Sequence, residues 1–311
     1  MAKLIQKIRK GIKNPKLIGS YVLGSRISRL FPDKVQISLL YRLRVGGRIN
    51  WENPQGFNEK LQWLKMNDRN PAYIKLVDKF AVREFISEKI GDQYLVQLLG
   101  MYDNPNEIDF STLPNQFVLK PTHTSGNVII CKDKTKLDWN ETKKILSKWL
   151  KREYFWYQRE WPYKQIIPRI ICEELLVDSE MDELIDYKIL CFQGEPQCLF
   201  LALDRGSSSG LKIDFYDLQW NPLPFERHYP RSGREIEKPA CFAEMLELAK
   251  ELARGIPFVR VDFYVVNGKI KFGELTFYPG SGLEEFTPEE YDKKLGDLIN
   301  LDLVTRKTHD K

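Results

Sequence analysis

Residues 259–282 read VRVDFYVVNGKIKFGELTFYPGSG, two runs of β-branched and aromatic residues flanking Asn267-Gly268, a dipeptide that strongly marks a tight β-hairpin turn. Side chains on a strand alternate between faces, so Arg260 and Asp262 share one face of the first arm, and Glu274 and Thr276 one face of the second. Whether the two carboxylates meet depends on the loop. A two-residue turn sets Asp262 opposite Gly273 and Glu274 opposite Val261, which puts the acids on different faces. A three-residue loop closed by Gly268 in a left-handed bulge shifts the register by one and brings both onto one face. That bulge is the expectation. Paired acids beside an arginine, followed by Pro279-Gly280-Ser281-Gly282, suit a magnesium site that holds polyphosphate; the alternative is a surface hairpin with solvated charges.

Upstream segments offer partners for such a site. In LVDKFAVREFISEKIG the apolar spacing of Phe80, Val82, Phe85, Ile86 and Ile90 predicts a helix stopped by Gly91. Lys79 lies near its start, where a cation opposes the helix dipole and calls for either exposure or an anionic ligand. FVLKP reads as a buried strand ending in Lys120, followed by the polar loop Thr122-His123-Thr124-Ser125-Gly126-Asn127 and a further strand, VIIC. Strand, lysine, hydroxyl and glycine loop, strand is a phosphate-covering hairpin in outline. It is not a Walker loop, because the lysine precedes the glycine and no Gly-Lys-Ser/Thr opens a helix. IICEELL and IDYKILCF are further strands, the second with Asp186 and Lys188 on one face. Residues 34–66, 140–151 and 240–254 read as helical, the first in pieces. The aromatic run around Tyr154 to Trp161 reads as packing, and 204–210 as a polar loop. Thr287-Pro288-Glu289-Glu290 predicts a last helix opened by a capping box.

Composition narrows the function classes. The chain has 311 residues, enough for about two domains. Five cysteines without a Cys-x-x-Cys pair point to buried free thiols rather than a disulfide frame, and three scattered histidines argue against a transition-metal centre. The net charge of +5 resides at the N-terminus, where Lys3, Lys7, Arg9, Lys10, Lys13, Lys16, Arg26 and Arg29 face no acid through residue 32. Leu4, Ile5, Ile8 and Ile12 share one helical face there, so residues 1–30 suit either an anionic membrane surface or packing on the protein itself. The patch from Leu17 to Gly24 is too short for a membrane span and lacks the marks of a secretory signal. A nucleic-acid partner is not expected, since no basic stripe with interleaved aromatics recurs.

Taken in order, FNEKLQWLKMND, DKFAVREF, LPNQFVLKPTHTSG, IICEELL, LIDYKILCFQGEP and the opening hairpin resemble the TupA-like ATP-grasp family over roughly residues 40–300. The resemblance implies an α+β, ATP-grasp fold. Two α+β lobes with mainly antiparallel sheets would clasp ATP, divided as a basic, mostly helical accessory region (1–75), a small lobe (76–176) and a large lobe (177–305). It also implies roles. Lys79 and Lys120 would hold the α- and β-phosphates under the loop of Thr122, His123, Ser125 and Gly126. Glu173 would accept from the adenine amino group, the backbone of Glu174, Leu175 and Leu176 would read the ring edge, and Asp186 would meet the ribose. Asp262 and Glu274 would hold magnesium, as two ions, with Thr276 standing where related ligases often carry asparagine and acting directly or through water. Arg260, Lys120 and Lys188 would be the catalytic cations, with Arg205 in the same cleft.

The activity so implied is a carboxylate–amine ligase in cell-surface polysaccharide biosynthesis, cytoplasmic or at the inner membrane face. Its substrates would be a small-molecule or glycan-linked carboxylate and an amine. A carboxylate is a poor electrophile until phosphorylation gives it a leaving group, so such an enzyme needs positioned cations and metal-holding acids rather than a nucleophile. No Ser-His-Asp or Cys-His set stands out in the sequence. The rival reading is a glycosyltransferase of capsule assembly, which would typically carry an Asp-x-Asp motif; this sequence has none. A non-enzymatic scaffold is disfavoured because the implied lysines and acids are all present.

Overall fold

The strand patterns of the sequence form two main antiparallel sheets in a computed structural model that describes residues 26–179, 184–204 and 210–304. The expectations placed on residues 1–25, and on Arg205 with its loop, lie outside the described residues. Among the described residues a 3-10 turn (Arg26–Leu30) is followed by four α-helices: α1 (Asp33–Arg44), α2 (Phe57–Asn67), α3 (Ala72–Val77) and α4 (Val82–Lys89). A four-stranded sheet follows, built from β1 (Leu98–Tyr102), β2 (Phe117–Pro121), β3 (Ile129–Cys131) and β4 (Ile170–Glu174) in the order β1-β4-β2-β3. Helices α5 (Trp139–Leu150) and α6 (Phe155–Gln158) lie between β3 and β4. The rest of the chain runs β5 (Asp186–Phe192), β6 (Glu195–Leu203), β7 (Lys212–Asp217), β8 (Glu226–Arg227), α7 (Phe242–Ala253), β9 (Phe258–Val266), β10 (Lys269–Thr276), β11 (Phe286–Thr287) and α8 (Glu290–Asp297). It forms a five-stranded sheet in the order β10-β9-β5-β6-β7 and a small β11-β8 pair.

The hairpin at the centre of the sequence reading differs from expectation in one place. Lys269 pairs with Val266, so Asn267 and Gly268 alone make the turn, both left-handed at φ 50° and 73°. Such a turn matches the right-handed twist of the flanking strands, which is why Asn-Gly forms it in place of a three-residue loop. The register shift comes five residues later: Phe272 pairs with Phe263, but Glu274 pairs with Asp262. Gly273 is the extra residue, a bulge within the strand rather than at its tip. A Cβ at Gly273 would lie 3.1 Å from the Asp262 carbonyl oxygen and 3.2 Å from the Tyr264 ring, so the absent side chain lets the two strands approach here. The displaced bulge still places both carboxylates on one face.

Each sheet buries its other face. Behind the large sheet, Ile189, Val259, Val261 and Phe263 pack with Met245, Ala249 and Leu252 of α7. Behind the small sheet, Phe117, Leu119, Ile170 and Cys172 pack with Leu146 of α5. Helix α2 belongs to the larger core: Phe57 is fully buried, its ring edge-on to Phe258 at 5.0 Å and near Phe192 and Phe286. The Glu59 carboxylate accepts from the backbone N–H groups of Asn50, Gln55 and Gly56, which fixes the chain entering that helix. All five cysteines are free, four of them buried. The expected capping box of the last helix is not formed. Thr287 is drawn into the β11 pairing with Glu226, and α8 begins at Glu290 without a side-chain cap.

Phe57→Ala removes a ring from the main core and is expected to cost about 3–5 kcal/mol in urea denaturation. A loss below about 1 kcal/mol would mean that α2 is not part of that core.

Candidate active site

The two sheets face each other across a cleft of about 460 Å³. On the large-sheet wall, register alone brings the charged residues together. Lys188 of β5 pairs with Asp262 of β9, which pairs with Glu274 of β10, and Asp186 pairs with Tyr264. The Lys188 ammonium bonds Asp262 Oδ2 and lies 3.5 Å from Asp186. Arg260 grips Asp262 with two parallel bonds of 2.6 Å, from Nε to Oδ1 and from Nη2 to Oδ2. The same Nη2 donates to Glu274 Oε1 at 3.0 Å and to the Thr276 hydroxyl at 2.9 Å. Planar guanidinium geometry permits this forked grip, which a lysine could not reproduce.

The small-sheet wall supplies further cations. Lys120 on β2 donates from Nζ to Glu173 Oε2 at 2.8 Å, and Arg83 of α4 reaches Glu173 Oε1 at 3.2 Å. Lys79, in the turn ahead of α4, donates to the Thr124 carbonyl at 2.5 Å. Burial lowers the proton affinity of Lys79, as expected for an ammonium leaving water.

Most residues singled out in the sequence line this cleft: Lys79, Lys120, Ser125, Gly126, Glu173, Glu174, Leu175, Leu176, Asp186, Lys188, Arg260, Asp262 and Glu274. Thr122 and His123 do not. Thr122 is fully buried, its hydroxyl accepting from Arg169 N and its backbone N–H donating to the Arg169 carbonyl. His123 turns inward to the Arg152 carbonyl, at 3.1 Å from Nε2, and burial lowers its proton affinity. The first two residues of the loop are therefore structural, and Ser125 and Gly126 face the cleft. Both oxygens of Glu173 are engaged by cations, so its carboxylate orients Lys120 and Arg83 in this arrangement rather than standing free for a nucleobase. Thr276 lines not this cleft but a neighbouring chamber of about 300 Å³ that shares Ser125, Arg260 and Glu274 with it.

Sequence reasoning missed Arg83, Arg227 and Glu284, which also line the cleft. Arg227 lies buried between the rings of Phe57 and Phe286, 5.3 Å from each centroid, and donates to the Pro279 carbonyl. Arg83 was within reach of pattern reasoning, since it follows Lys79 by four residues in DKFAVREF. Arg227 was not, because a two-residue strand leaves no periodicity.

The local charge is balanced, with Lys79, Lys188 and Arg260 set against Asp186, Asp262 and Glu274. Burial alone would push the Glu274 carboxyl up; Lys79, Arg260, Lys188 and the Thr276 hydroxyl outweigh it and hold the group down at about 2, against an ordinary 4.5. Opposite terms act on Arg260, where burial works against the charge but Asp262 and Glu274 prevail and raise its proton affinity. A carboxylate with a depressed value stabilises the fold above its unfolded range and loses that contribution as pH falls through its folded value. The melting-temperature gap between wild type and Glu274→Gln is therefore expected to be widest above about pH 4.5 and to close toward about pH 2. A gap that does not change over this window would contradict the assigned electrostatics.

The sequence model of the family described as TupA-like ATPgrasp matches residues 59–300. Among solved structures, the ATP-grasp ligase PsnB complexed with minimal precursor is 11% identical with a TM-score of 0.39, over 71% of this chain and 59% of that one. The D-alanine–D-alanine ligase from Bacillus anthracis complexed with ATP is 15% identical, TM-score 0.42, over 76% and 68%. The L-amino acid ligase from Bacillus licheniformis is 13% identical, TM-score 0.41, over 72% and 49%. The chain thus spans about three fifths of the PsnB chain. No curated protein matches this sequence. The family match takes in both walls of the cleft, from α2 through the hairpin that carries Arg260, Asp262 and Glu274, and the chain belongs to the TupA-like ATP-grasp family.

Proposed function

We propose that the protein is an ATP- and magnesium-dependent carboxylate–amine ligase that forms an amide through an acyl-phosphate. The observation that carries this reading is the cross-strand pair Asp262 and Glu274, bridged by Arg260 and faced across the cleft by Lys79 and Lys120. On this reading the lobes are residues 76–176 and 177–305, with 1–75 as a further region whose described helices touch both, through Asp33 on Arg159 and through α2 on α8.

The donor set suits magnesium. That ion prefers hard oxygen ligands and commonly uses one or two carboxylates, filling its remaining positions with water and phosphate oxygens. Among the described residues no group of three or more His, Cys, Asp or Glu side chains converges as a metal cage. Asp262 and Glu274 would hold the ion, with the Thr276 hydroxyl beside them; two ions are within this proposal. Bound magnesium supplies charge neutralisation and alignment for in-line phosphoryl transfer.

The chain's own residues do the rest. Lys79 and Lys120 bind phosphate oxygens, Ser125 and Gly126 lie over them, and the backbone at Glu174 to Leu176 offers a nucleobase the polar edge at the end of β4. Asp186 is placed for a ribose. Arg260 now spends its donors on two acids; once those acids are otherwise neutralised, its guanidinium is positioned for a phosphoryl or acyl-phosphate oxygen. Lys188 stands to act the same way beside Asp262.

The setting proposed is cell-surface polysaccharide assembly, which rests on the family resemblance and leaves the carboxylate as a small acid or a glycan-linked uronic acid. Residues 1–30 are proposed to touch an anionic membrane from the cytoplasmic side. Their basic charge and the exposed Leu30, Val35 and Leu39 at the start of the described chain support this reading. No helix among the described residues is long and apolar enough to cross a membrane.

Three measurements test these proposals. Magnesium-ATP, but not a UDP-sugar, is expected to raise the melting temperature, by an amount matching about 2.7 kcal/mol at a hundredfold excess over Kd; the opposite preference would favour a glycosyltransferase. Glu274→Gln should remain folded and lose ADP release by at least about a hundredfold over a panel of carboxylates and amines, and wild-type turnover would refute the metal assignment. Deleting residues 1–30 should weaken partitioning onto anionic liposomes by about tenfold or more. Unchanged partitioning would make the segment ordinary surface.

A further inference from the structure

The chamber beside the cleft has a chemistry of its own. Its wall is built from the residues flanking α6 (Tyr154 before it, Glu160 and Tyr163 after it) and from Tyr278 and Ser281 beyond the hairpin, with His228 from the β8 connection. It opens onto Arg260 and Glu274, the groups that also line the larger cleft.

Glu160 is the unusual member. The residue is only 6% exposed, in a wall that combines Tyr154, Tyr163, Tyr278 and Ser281 with the charged Arg44 and Glu284. It hydrogen-bonds Ser281, whose hydroxyl and carbonyl both accept from the Lys65 ammonium at 2.7 Å. Lys65 also holds Gln62 Oε1 at 3.0 Å and is itself buried, so it is a fixed internal cation with its donors committed. Burial nevertheless dominates at Glu160 and raises its proton affinity, with Glu274 adding to the effect and Lys65 and Arg260 only partly opposing it. The carboxylate is therefore stabilised by a further cation arriving from the chamber side. Tyr154 and Tyr163 stand beside it, ring centroids 4.7 Å apart and edge to face, and burial keeps both hydroxyls protonated. Neutral aromatic rings around a buried carboxylate favour an organic cation over an anion.

We propose that this chamber is the amine subsite, in which Glu160 and the rings of Tyr154 and Tyr163 receive a primary amine as its ammonium and direct it toward the mouth of the cleft, where Arg260 and Glu274 line both cavities. The assignment rests on the ligase reading for its place in a reaction, but the binding itself does not need catalysis. Glu160 is then the residue that separates the amine from the carboxylate substrate: an ammonium is attracted, whereas a second carboxylate would be set against Glu160 in a poorly solvated space. In the amide-forming step the nitrogen attacks the acyl carbon, the bond from that carbon to the phosphate oxygen breaks, and phosphate leaves. Of the two protons that a primary ammonium sheds, one accompanies the phosphate and the other passes to solvent, so the sum from acyl-phosphate and ammonium to amide, hydrogen phosphate and one proton balances.

Saturation-transfer NMR with simple probes tests the assignment on the full chain, with and without magnesium and a non-hydrolysable ATP analogue. Glycinamide and n-propylamine carry an ammonium and no carboxylate; N-acetylglycine and propionate carry the reverse. The amines are expected to bind, and Glu160→Gln should weaken amine binding at least tenfold while leaving any binding of the acids, which belongs to the carboxylate substrate's own place, unchanged. The melting-temperature rise produced by the nucleotide reports in the same samples whether the cleft is intact. Binding of the acids in place of the amines, no binding of the amines, or amine binding within twofold of wild type in Glu160→Gln would each overturn the proposal. Amine binding by the wild type decides the matter even if Glu160→Gln does not fold, and a nucleotide that leaves the melting temperature unmoved counts against the ligase reading separately.

Discussion

The Arg260 guanidinium, bonded at once to Asp262, Glu274 and Thr276, is the interaction on which the rest of the cleft depends. Two carboxylates that face each other on adjacent strands repel, and Asp262 is 1% exposed, so water cannot relieve the repulsion at its end of the pair. Arg260 and Lys188 relieve it from two sides. Such buried ionic sets rarely stabilise a fold on balance, because desolvating the charges offsets their attraction; breaking one, however, costs about 3–5 kcal/mol. The large sheet, whose other face is an apolar core, carries this cost, which is the pattern expected where charge serves chemistry rather than folding.

The cluster works only if the strands deliver it, and two backbone features do so. Gly273 takes the extra residue that turns Glu274 onto the face of Asp262. Beyond β10 the chain passes through Gly280, Ser281 and Gly282 at φ 55°, 56° and 60°, a run of left-handed residues in which a serine costs roughly 1–2 kcal/mol. Helix α2 offsets that strain. Gln62 donates to the carbonyls of Ser281 and Gly282, and Lys65 to Ser281 twice. A Cβ on Gly282 would approach Gln62 Nε2 to 2.6 Å, so glycine is needed where the helix closes on the loop. A helix that reads from the sequence as accessory thus holds one wall of the polar chamber in shape.

Much of this was legible in the sequence for local reasons. The hairpin, its arms and the strand that ends in Lys120 follow from short-range periodicity and turn chemistry, whereas the two sheets and the roles of Lys79 and Lys120 came only with the family resemblance. The bulge was legible but misplaced: Asn-Gly is strong enough to fix a two-residue turn by itself, and the remaining signal was the glycine inside a strand at Gly273. The loop after Lys120 shows where composition fails, because Thr122 and His123 look like phosphate contacts yet satisfy interior backbone groups near Arg169 and Arg152. Arg227, Glu160 and Tyr163 could not be found from pattern, since their roles arise only when segments distant in sequence pack against α2 and the hairpin.

Glu274 is the point at which the two cavities meet. Asp262 lines the larger cleft alone, whereas Glu274 and Arg260 line both spaces. Its side chain is also the more open of the two acids, about a third exposed against 2% for Asp262. One carboxylate is therefore a fixed anchor, locked by Lys188 and the forked grip of Arg260, and the other holds a single guanidinium bond and the Thr276 hydroxyl. An exchange of cation partners costs least at the acid that is less enclosed and less bonded. That asymmetry, set by the pleat and by one glycine, is what allows a buried ion cluster to stand between two chambers and still respond to what enters them.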